Sequence, residues 1–356
     1  MVGPLDDTTP LKGRVIAFPK SGISYNDCFY RCVEAQQVTV IDGVFAGGWL
    51  WNNLRYGDWV HLHWPSFGYN TSTGRRKLLW AFVRWVALLT LVRMRGCKIV
   101  WTAHNLLPHD RAAIAALDVL ARRLVIAISE RIMVHGQFAA ESLVARFPAV
   151  VSKLCLIPHG NWINYYPRSL NRETARVKLG LPLDQFVYLF IGLCKPYKNV
   201  DGLVRAFRLT SNDALLLIAG KFQDQAYYEH VKALAGSDDR IKIEPGFIPD
   251  KQMQAYLLAC DVVVVPYREI LTSGTAMLAM SFGRPVVSVA LGFLKTIVSN
   301  PRLGHLFSPT NPTGLSEALN VARSFHFDEK EILAHASCFT FEEAASVFVK
   351  SLSERK

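Results

Sequence analysis

The chain has 356 residues, 51% of them hydrophobic and 19% charged, with a formal net charge of +11. That length exceeds the roughly 250–300 residues at which single cores stop growing and predicts two domains, while the apolar content excludes a disordered chain. The charge calls for an acidic partner: nucleic acid, anionic lipid or a phosphorylated substrate. Seven cysteines (Cys28, Cys32, Cys97, Cys155, Cys194, Cys260 and Cys338) are odd in number and lack C-x-x-C spacing, a reduced pattern without a metal knuckle. The polar N-terminal stretch MVGPLDDTTPLKGR carries no apolar signal segment, so the expected location is cytoplasmic.

In chain order, strands are expected at 14–18, 38–41, 59–63, 98–103, 131–134 and 154–157, alternating with helical stretches. This alternation implies a doubly wound parallel sheet. The turn from Lys20 to Tyr25 follows the first strand, where Ser24 and Tyr25 are acceptor-binding candidates and Lys20 a phosphate contact. His63 and Trp64 end the third strand and shape an acceptor pocket, unless His63 is a satisfied core histidine. Residues 75–95 read RRKLLWAFVRWVALLTLVRMR, with an uninterrupted apolar part shorter than the ~20 residues of a membrane span. Either this segment lies in a membrane interface or it is a buried helix. In the first case Trp80 and Trp85 sit at headgroup depth, with Arg75, Arg76, Lys77, Arg93 and Arg95 near anionic lipid. A second helix over 111–131, with Arg122 and Arg123, extends the same basic surface.

The loop after the strand ending at Ala103 holds His104, Asn105, His109 and Asp110, and loops at the carboxyl ends of parallel strands face ligand. Asp110 is either a general base or the N-cap of the following helix. The turn at 158–162 and the polar stretch 165–174 mark a hinge, dividing the chain into domains 1–165 and 166–335 with a C-terminal helix in 336–356.

In the second half, Phe186 to Ile191 is a buried strand, followed by Gly192, Lys195, Lys198 and a helix over 200–207. The two lysines either neutralise phosphate as compact charges or are ordinary surface residues. Val262 to Val265 is another buried strand, closed by Pro266, and Thr272, Ser273, Gly274 and Thr275 stand where the next helix starts. Unpaired N–H groups, a positive dipole end, hydroxyls and a glycine suit a diphosphate there; the plain alternative is an N-cap.

These runs form a pattern: GLCKPYKNVDGLVRAF (192–207), LLLIAG (215–220), DRIKIEPGFIPDKQMQAYLLACDVVVVPY (239–267) and FGRPVV (282–287), with HLHWP (61–65) and TAHNLLPHD (102–110) upstream. The pattern resembles GT-B glycosyltransferases, above all the xanthan-type β-mannosyltransferases of bacterial exopolysaccharide assembly (family 94-like), and more distantly the large retaining family four. The resemblance implies an α/β fold of two doubly wound Rossmann-like domains facing each other across a cleft that holds the chemistry, with a C-terminal helix crossing back to the first domain. It also implies a nucleotide-sugar donor, GDP-mannose favoured and a UDP-sugar open, and a polyprenyl-diphosphate-linked oligosaccharide acceptor.

Helix N-termini and basic side chains meet the diphosphate charge in such enzymes, so no cofactor and no metal are expected. Nucleic acid is not, because aromatics are not interleaved with Lys/Arg in an RNA-binding motif. The enzyme would be peripheral or monotopic on the cytoplasmic face of the inner membrane, bound to an anionic surface.

Residue by residue, the resemblance gives the diphosphate to Gly192, Lys195, Lys198, Thr272, Ser273, Gly274 and Thr275. The loop with Phe247 and Ile248 frames the base, and Glu269 meets sugar hydroxyls or ribose. Asp110 becomes the catalytic base and His104 a sugar contact or the base itself, with Asn105 and His109 toward the acceptor. Two positions depart from the retaining pattern: the second glutamate of its pair falls at Met277, and the arginine after the glycine is Leu193. These departures imply an inverting transfer. A non-hydrolysing nucleotide-sugar epimerase and an inactive membrane-docked scaffold are the alternatives.

Overall fold

The computed structural model describes residues 11, 13–70, 74–108, 110, 112–210 and 213–354. The first part of the chain runs β1 (Val15–Phe18), α1 (Ser24–Glu34), β2 (Val40–Asp42), α2 (Gly47–Asn53), β3 (Trp59–Leu62), α3 (Arg75–Met94), β4 (Lys98–Thr102), α4 (Ala115–Ile128), β5 (Arg131–His135), α5 (Gln137–Arg146) and β6 (Leu154–Ile157). It continues with α6 (Arg172–Lys178), β7 (Phe186–Ile191), α7 (Val200–Phe207), β8 (Ala214–Gly220), α8 (Gln225–Ala235), β9 (Ile241–Pro245), α9 (Asp250–Ala259), β10 (Val262–Val265), α10 (Gly274–Ser281), β11 (Val286–Val289), α11 (Gly292–Ile297), β12 (Gly304–Phe307), α12 (Gly314–Ser324), α13 (Glu329–Ser337) and α14 (Phe341–Ser353). The chain divides into two compact units, one of residues up to Gly160 together with Thr340 onward, the other Asn161–Phe339.

The first unit holds a parallel sheet in the order β2-β1-β3-β4-β5-β6. The chain steps from β1 to β2 on one side and returns to β3 on the other, so the direction of winding switches between β1 and β3. Helix α14 belongs to this unit. Thr340 caps it by accepting from Glu343 N (3.1 Å), and Phe348 packs against Phe29 and His61 at centroid distances of 5.1 and 4.8 Å.

Helix α3 is half buried. It turns Leu78, Phe82, Trp85, Leu88, Leu89 and Val92 inward, at helical spacing. Trp85 is 1% exposed against Tyr69 and Phe82, and a Cβ on Gly68 would fall 2.2 Å from its ring, so glycine is required there. The expectation of Trp85 at headgroup depth is thereby corrected. Trp80 is 75% exposed and shares the outer face with Leu79 and Val83. Arg93 and Arg95 are likewise engaged with protein: Arg93 pairs with Glu130 (2.8 Å), and Arg95 donates to Leu54 O (2.8 Å) above the Trp51 ring.

The helix expected over 111–131 is α4, which stops at Ile128 because Ser129 turns extended and its hydroxyl donates back to Val125 O. Arg131 opens β5 instead. Arg122 is buried rather than part of a basic surface, while Arg123 is exposed.

The second unit carries a parallel sheet in the order β12-β11-β10-β7-β8-β9. Winding switches between β7 and β10. Both strands are β-branched or aromatic runs buried on both faces, as the central position demands. Arg176, fully buried, fixes the start of this sheet: its guanidinium donates to Asp261 and to the carbonyls of Ala259, Pro182, Leu183 and Gln185.

Candidate active site

Parallel strands deliver every following loop to one edge of the sheet, and in open α/β sheets ligands bind where the winding switches. In the second unit the loops at that place follow β7 and β10, and they carry most of the expected donor residues. Gly192 has φ +124, and a Cβ there would lie 3.4 Å from Lys198 Nζ and 3.9 Å from Thr275 Oγ1. Glycine therefore leaves open the space on which a lysine and a helix-start hydroxyl converge. Tyr267 joins the two: its hydroxyl donates to Thr275 Oγ1 (3.1 Å), and Lys198 Nζ lies 5.0 Å from its ring centre. Burial works against the Lys198 charge, but the neighbouring Tyr267 and Tyr197 more than offset it and hold its pKa above 10.5.

The two loops are tied into one body. Arg268 N donates to Tyr197 O (2.8 Å), and its guanidinium reaches Pro196 O (2.6 Å) and Asp201 Oδ2 (2.8 Å). Asn199, left-handed at φ 59, donates to Pro266 O (3.0 Å). Burial opposes the Asp201 charge, yet bonds from Arg205, Tyr227 and Arg268 keep its carboxyl below the ordinary range. None of Tyr267, Arg268, Asn199 and Asp201 was singled out from sequence; Asn199, a left-handed residue type directly before a helix, was the available signal.

The remaining donor candidates are placed unevenly. Ser273 is 2% exposed and its hydroxyl accepts from Ala276 N (3.2 Å), which makes it the N-cap of α10. Gly274, Thr272 and Lys195 are half-buried at the same edge, and Glu269 is exposed in the loop after β10. Phe247, 75% exposed, and Ile248 follow the edge strand β9, two strands from β7. Met277 is fully buried.

In the first unit, the switch between β1 and β3 opens a mostly apolar pocket of about 240 Å³, lined by Phe18, Phe45, His63, Trp64, Phe67 and Trp85 among others. His63 is also a satisfied buried histidine, bonded to Tyr30 and His104. It belongs to a cluster collected at the strand ends: His61 in β3, His63 after it, His104 after β4, His135 ending β5 and His159 after β6. Tyr25, expected at the acceptor, is 6% exposed in the middle of this cluster, with His63, His104, His135 and His159 centroids 5.0–6.0 Å from its ring. Ser24 is half-buried at the start of α1, and Lys20 is held by Glu34 (2.7 Å) rather than open to a phosphate.

The loop from Ala103 to Ile114 is held from α4 and from Asn70. Arg122, stacked 4.3 Å over Trp101, donates to Leu106 O; Asp118 accepts from Ala112 N and Tyr69 OH; Asn70 donates to Asp110 O. Burial pushes the Arg122 pKa down to about 10, Tyr69 and Asp118 opposing, so it stays charged at neutral pH. Asp110 is exposed and does not cap α4, whose N-cap is Ile114. Asn105 is half-buried beside His104, whose ring stacks on Trp64 at 4.7 Å; His109 lies outside the described residues. Among the described residues no group of three or more His, Cys, Asp or Glu side chains is arranged to hold a metal ion.

The segment bearing β7 to α12 matches a known family profile, described as glycosyl transferases group 1, over residues 171–324. A D-inositol 3-phosphate glycosyltransferase of Streptomyces avermitilis is 25% identical over 93% of this chain and 71% of its own length. A GDP-mannose:glycolipid 4-beta-D-mannosyltransferase of Xanthomonas campestris pv. campestris is 27% identical over 65% of this chain and 61% of its own length. Among solved structures, Anabaena HepE in complex with UDP and glucose superposes with a TM-score of 0.64 at 17% identity, covering 95% of this chain and 89% of that one. A glycosyltransferase from Rickettsia africae gives 0.66 at 13%, covering 97% and 91%. The fold is thus that of GT-B glycosyltransferases, two parallel-sheet Rossmann-like α/β domains.

The histidine cluster bears on acid stability. Burial lowers all five histidine pKa values below 6.5, that of His159 to about 4, so the rings are neutral in the fold. The unfolded chain binds protons from about pH 6.5 downward while the folded one does not, so stability is full above that pH and falls as pH drops. Each ring contributes up to about 1.4 kcal/mol per pH unit over its window. Urea-unfolding midpoints are expected to drop steeply between pH 7.5 and 5; an unchanged midpoint would show that the cluster takes up protons without cost.

Proposed function

We propose that this chain transfers a sugar from a nucleotide-sugar, GDP-mannose by preference, to a lipid-linked oligosaccharide in exopolysaccharide assembly, with inversion and without a metal, at the cytoplasmic face of the inner membrane. The convergence of Lys198 Nζ, Thr275 Oγ1 and the side-chain-free Gly192 where winding switches in the second unit carries this reading. A fixed cation and hydroxyl beside a helix start suit a diphosphate leaving group. The mannosyl donor and glycolipid acceptor are suggested by the name of the Xanthomonas relative. A UDP-sugar fits the same phosphate contacts, as the HepE complex illustrates for that protein, and an inositol phosphate acceptor is suggested by the Streptomyces relative.

Asp110 is the proposed base, because it is exposed on a loop anchored by Arg122, Asp118 and Asn70 and is not the N-cap of α4. Membrane association rests on the outer face of α3, where Arg75, Arg76, Lys77 and Arg84 are exposed beside Leu79, Trp80 and Val83. The stretch 329–353 has the length and mean hydropathy (1.2) of a span, but it is the two helices α13 and α14, and α14 buries Phe341, Ala344, Ala345, Phe348 and Leu352 in the first unit.

A thermal-shift and calorimetric comparison of GDP, UDP and their sugar conjugates should show stabilisation by one nucleotide series. Lys198→Ala is expected to weaken that nucleotide by roughly 10- to 100-fold, the worth of one charge-assisted hydrogen bond; unchanged affinity would remove Lys198 from the site. Asp110→Asn should lower turnover by ~10²–10⁴-fold with nucleotide affinity intact, and anomeric NMR of the wild-type product should show inverted configuration, retention refuting the inverting reading. The protein should co-sediment with vesicles containing phosphatidylglycerol, less so in high salt and less so as Arg76→Ser/Trp80→Ser, each basic residue being worth about 1 kcal/mol near the surface. Equal binding to neutral phosphatidylcholine vesicles by protein and variant would rule out this face.

A further inference from the structure

An unbroken hydrogen-bonded chain of side chains runs through the first unit. Thr102 Oγ1 meets His61 Nε2 at 2.8 Å; His61 Nδ1 meets the Tyr30 hydroxyl at 2.8 Å; that hydroxyl meets His63 Nε2 at 2.7 Å; and His63 Nδ1 meets His104 Nε2 at 3.0 Å. Thr102, Tyr30, His61 and His63 are at most 1% exposed and His104 9%. Burial keeps the three imidazoles neutral, so each ring has one donor and one acceptor nitrogen. For every buried proton along such a chain to have an acceptor, all links must point the same way, which leaves two directions.

Thr102 decides between them. Its hydroxyl lies in the dry end of the chain, and among the described residues its one side-chain hydrogen bond is to His61 Nε2. If His61 donated to it, the threonine proton would be buried without an acceptor, an arrangement that native interiors avoid because it forfeits a whole hydrogen bond. If Thr102 donates, every proton has a place: Thr102 to His61 Nε2, His61 Nδ1–H to the Tyr30 oxygen, Tyr30 to His63 Nε2, and His63 Nδ1–H to His104 Nε2. The two flanking rings have the same tautomer for a separate reason. His135 Nδ1 faces Pro158 O at 3.3 Å and His159 Nδ1 faces Gly160 O at 3.0 Å, and a carbonyl only accepts.

We infer that Thr102, His61, Tyr30 and His63 act as positioning residues that fix His104 as its Nδ1–H tautomer, so that His104 meets any ligand oxygen as a hydrogen-bond donor and does not serve as the base. The tautomer stands on the geometry of the first unit alone. Its consequence, that the basic group of the transfer is found elsewhere and His104 recognises a hydroxyl or other oxygen lone pair, rests on the glycosyl-transfer reading.

The test uses the full-length protein labelled with nitrogen-15 at its ten histidines, observed by long-range proton–nitrogen correlation at pH 7.5, with His104 assigned through loss of its signals in His104→Gln. The expected His104 pattern has a pyrrole-type Nδ1 and a pyridine-type Nε2, the reverse of the form free histidine favours, and His61, His63, His135 and His159 share it. A protonated Nε2 on His104 overturns the inference whatever the enzyme transfers. Thr102→Val should release His104 toward the Nε2–H form while Thr102→Ser retains the wild-type pattern; an unmoved His104 in a folded Thr102→Val protein would remove Thr102 as the determinant. Where Thr102→Val does not fold, Tyr30→Phe breaks the chain at its middle and should release His104 in the same way.

Discussion

The parallel direction of all twelve strands among the described residues is the constraint on which the candidate sites depend. In each sheet it places every loop that leaves a strand's carboxyl end on one edge, so residues far apart in sequence become neighbours without any loop having to travel. It also leaves the loops without the ladder bonds that fix strands, and their backbone groups still need partners. Each unit answers this with a few side chains from the loops themselves and from neighbouring helices. In the second, Arg268, Asn199 and Asp201 bind the loop after β7 to the loop after β10. In the first, Arg122, Asp118 and Asn70 hold the loop between β4 and α4. The residues proposed for chemistry stand on these anchored loops, which is how a flexible class of structure acquires fixed geometry.

The histidine cluster shows a second consequence of packing strand ends together. Five imidazoles within one buried layer would be costly as charges, since several of their centroids lie 4–6 Å apart. Kept neutral they are bifunctional: three of them join Thr102 and Tyr30 in one chain, and the other two each meet a carbonyl, so nearly all the members are satisfied. Polar networks of this kind order a core only when complete. His135 Nε2 and the Tyr25 hydroxyl are the exceptions, buried with no hydrogen-bond partner.

Much of this architecture was legible from sequence, for a physical reason. Strands buried on both faces read as continuous runs rich in β-branched and aromatic residues, and β7 and β10 begin and end where those runs do. The ends of α7 were equally readable. Helix faces were less so: α3 carries tryptophan at 80 and 85 and basic residues throughout, so composition could not say that Trp85 points inward and Trp80 outward. Only the partner surface of Tyr69, Phe82 and Gly68 decides it. Arg122 and Lys20 were misread for the same cause. A basic residue advertises solvent, whereas these two bond a carbonyl and a carboxylate that no local pattern announces. The cluster formed by His61, His135 and His159 with Tyr30 is a purely tertiary event, visible once strand order is known.

The two departures from the retaining pattern acquire a physical meaning in this light. Position 277 is fully buried, so a glutamate there would be a buried carboxylate in need of a partner. Such a group costs several kcal/mol or gives up its charge. The methionine is therefore part of the packing of α10 and not a ligand-facing residue that happens to have been exchanged. Leu193, by contrast, is 41% exposed, so an arginine at that point was never excluded by space. Its charge is absent while Lys198, kept protonated by Tyr267 and Tyr197, stands further along the same loop beside Gly192. In the proposed donor site a compact cation fixed against Tyr267 would take the place of a long, planar donor, trading bidentate reach for a single charge at a defined point.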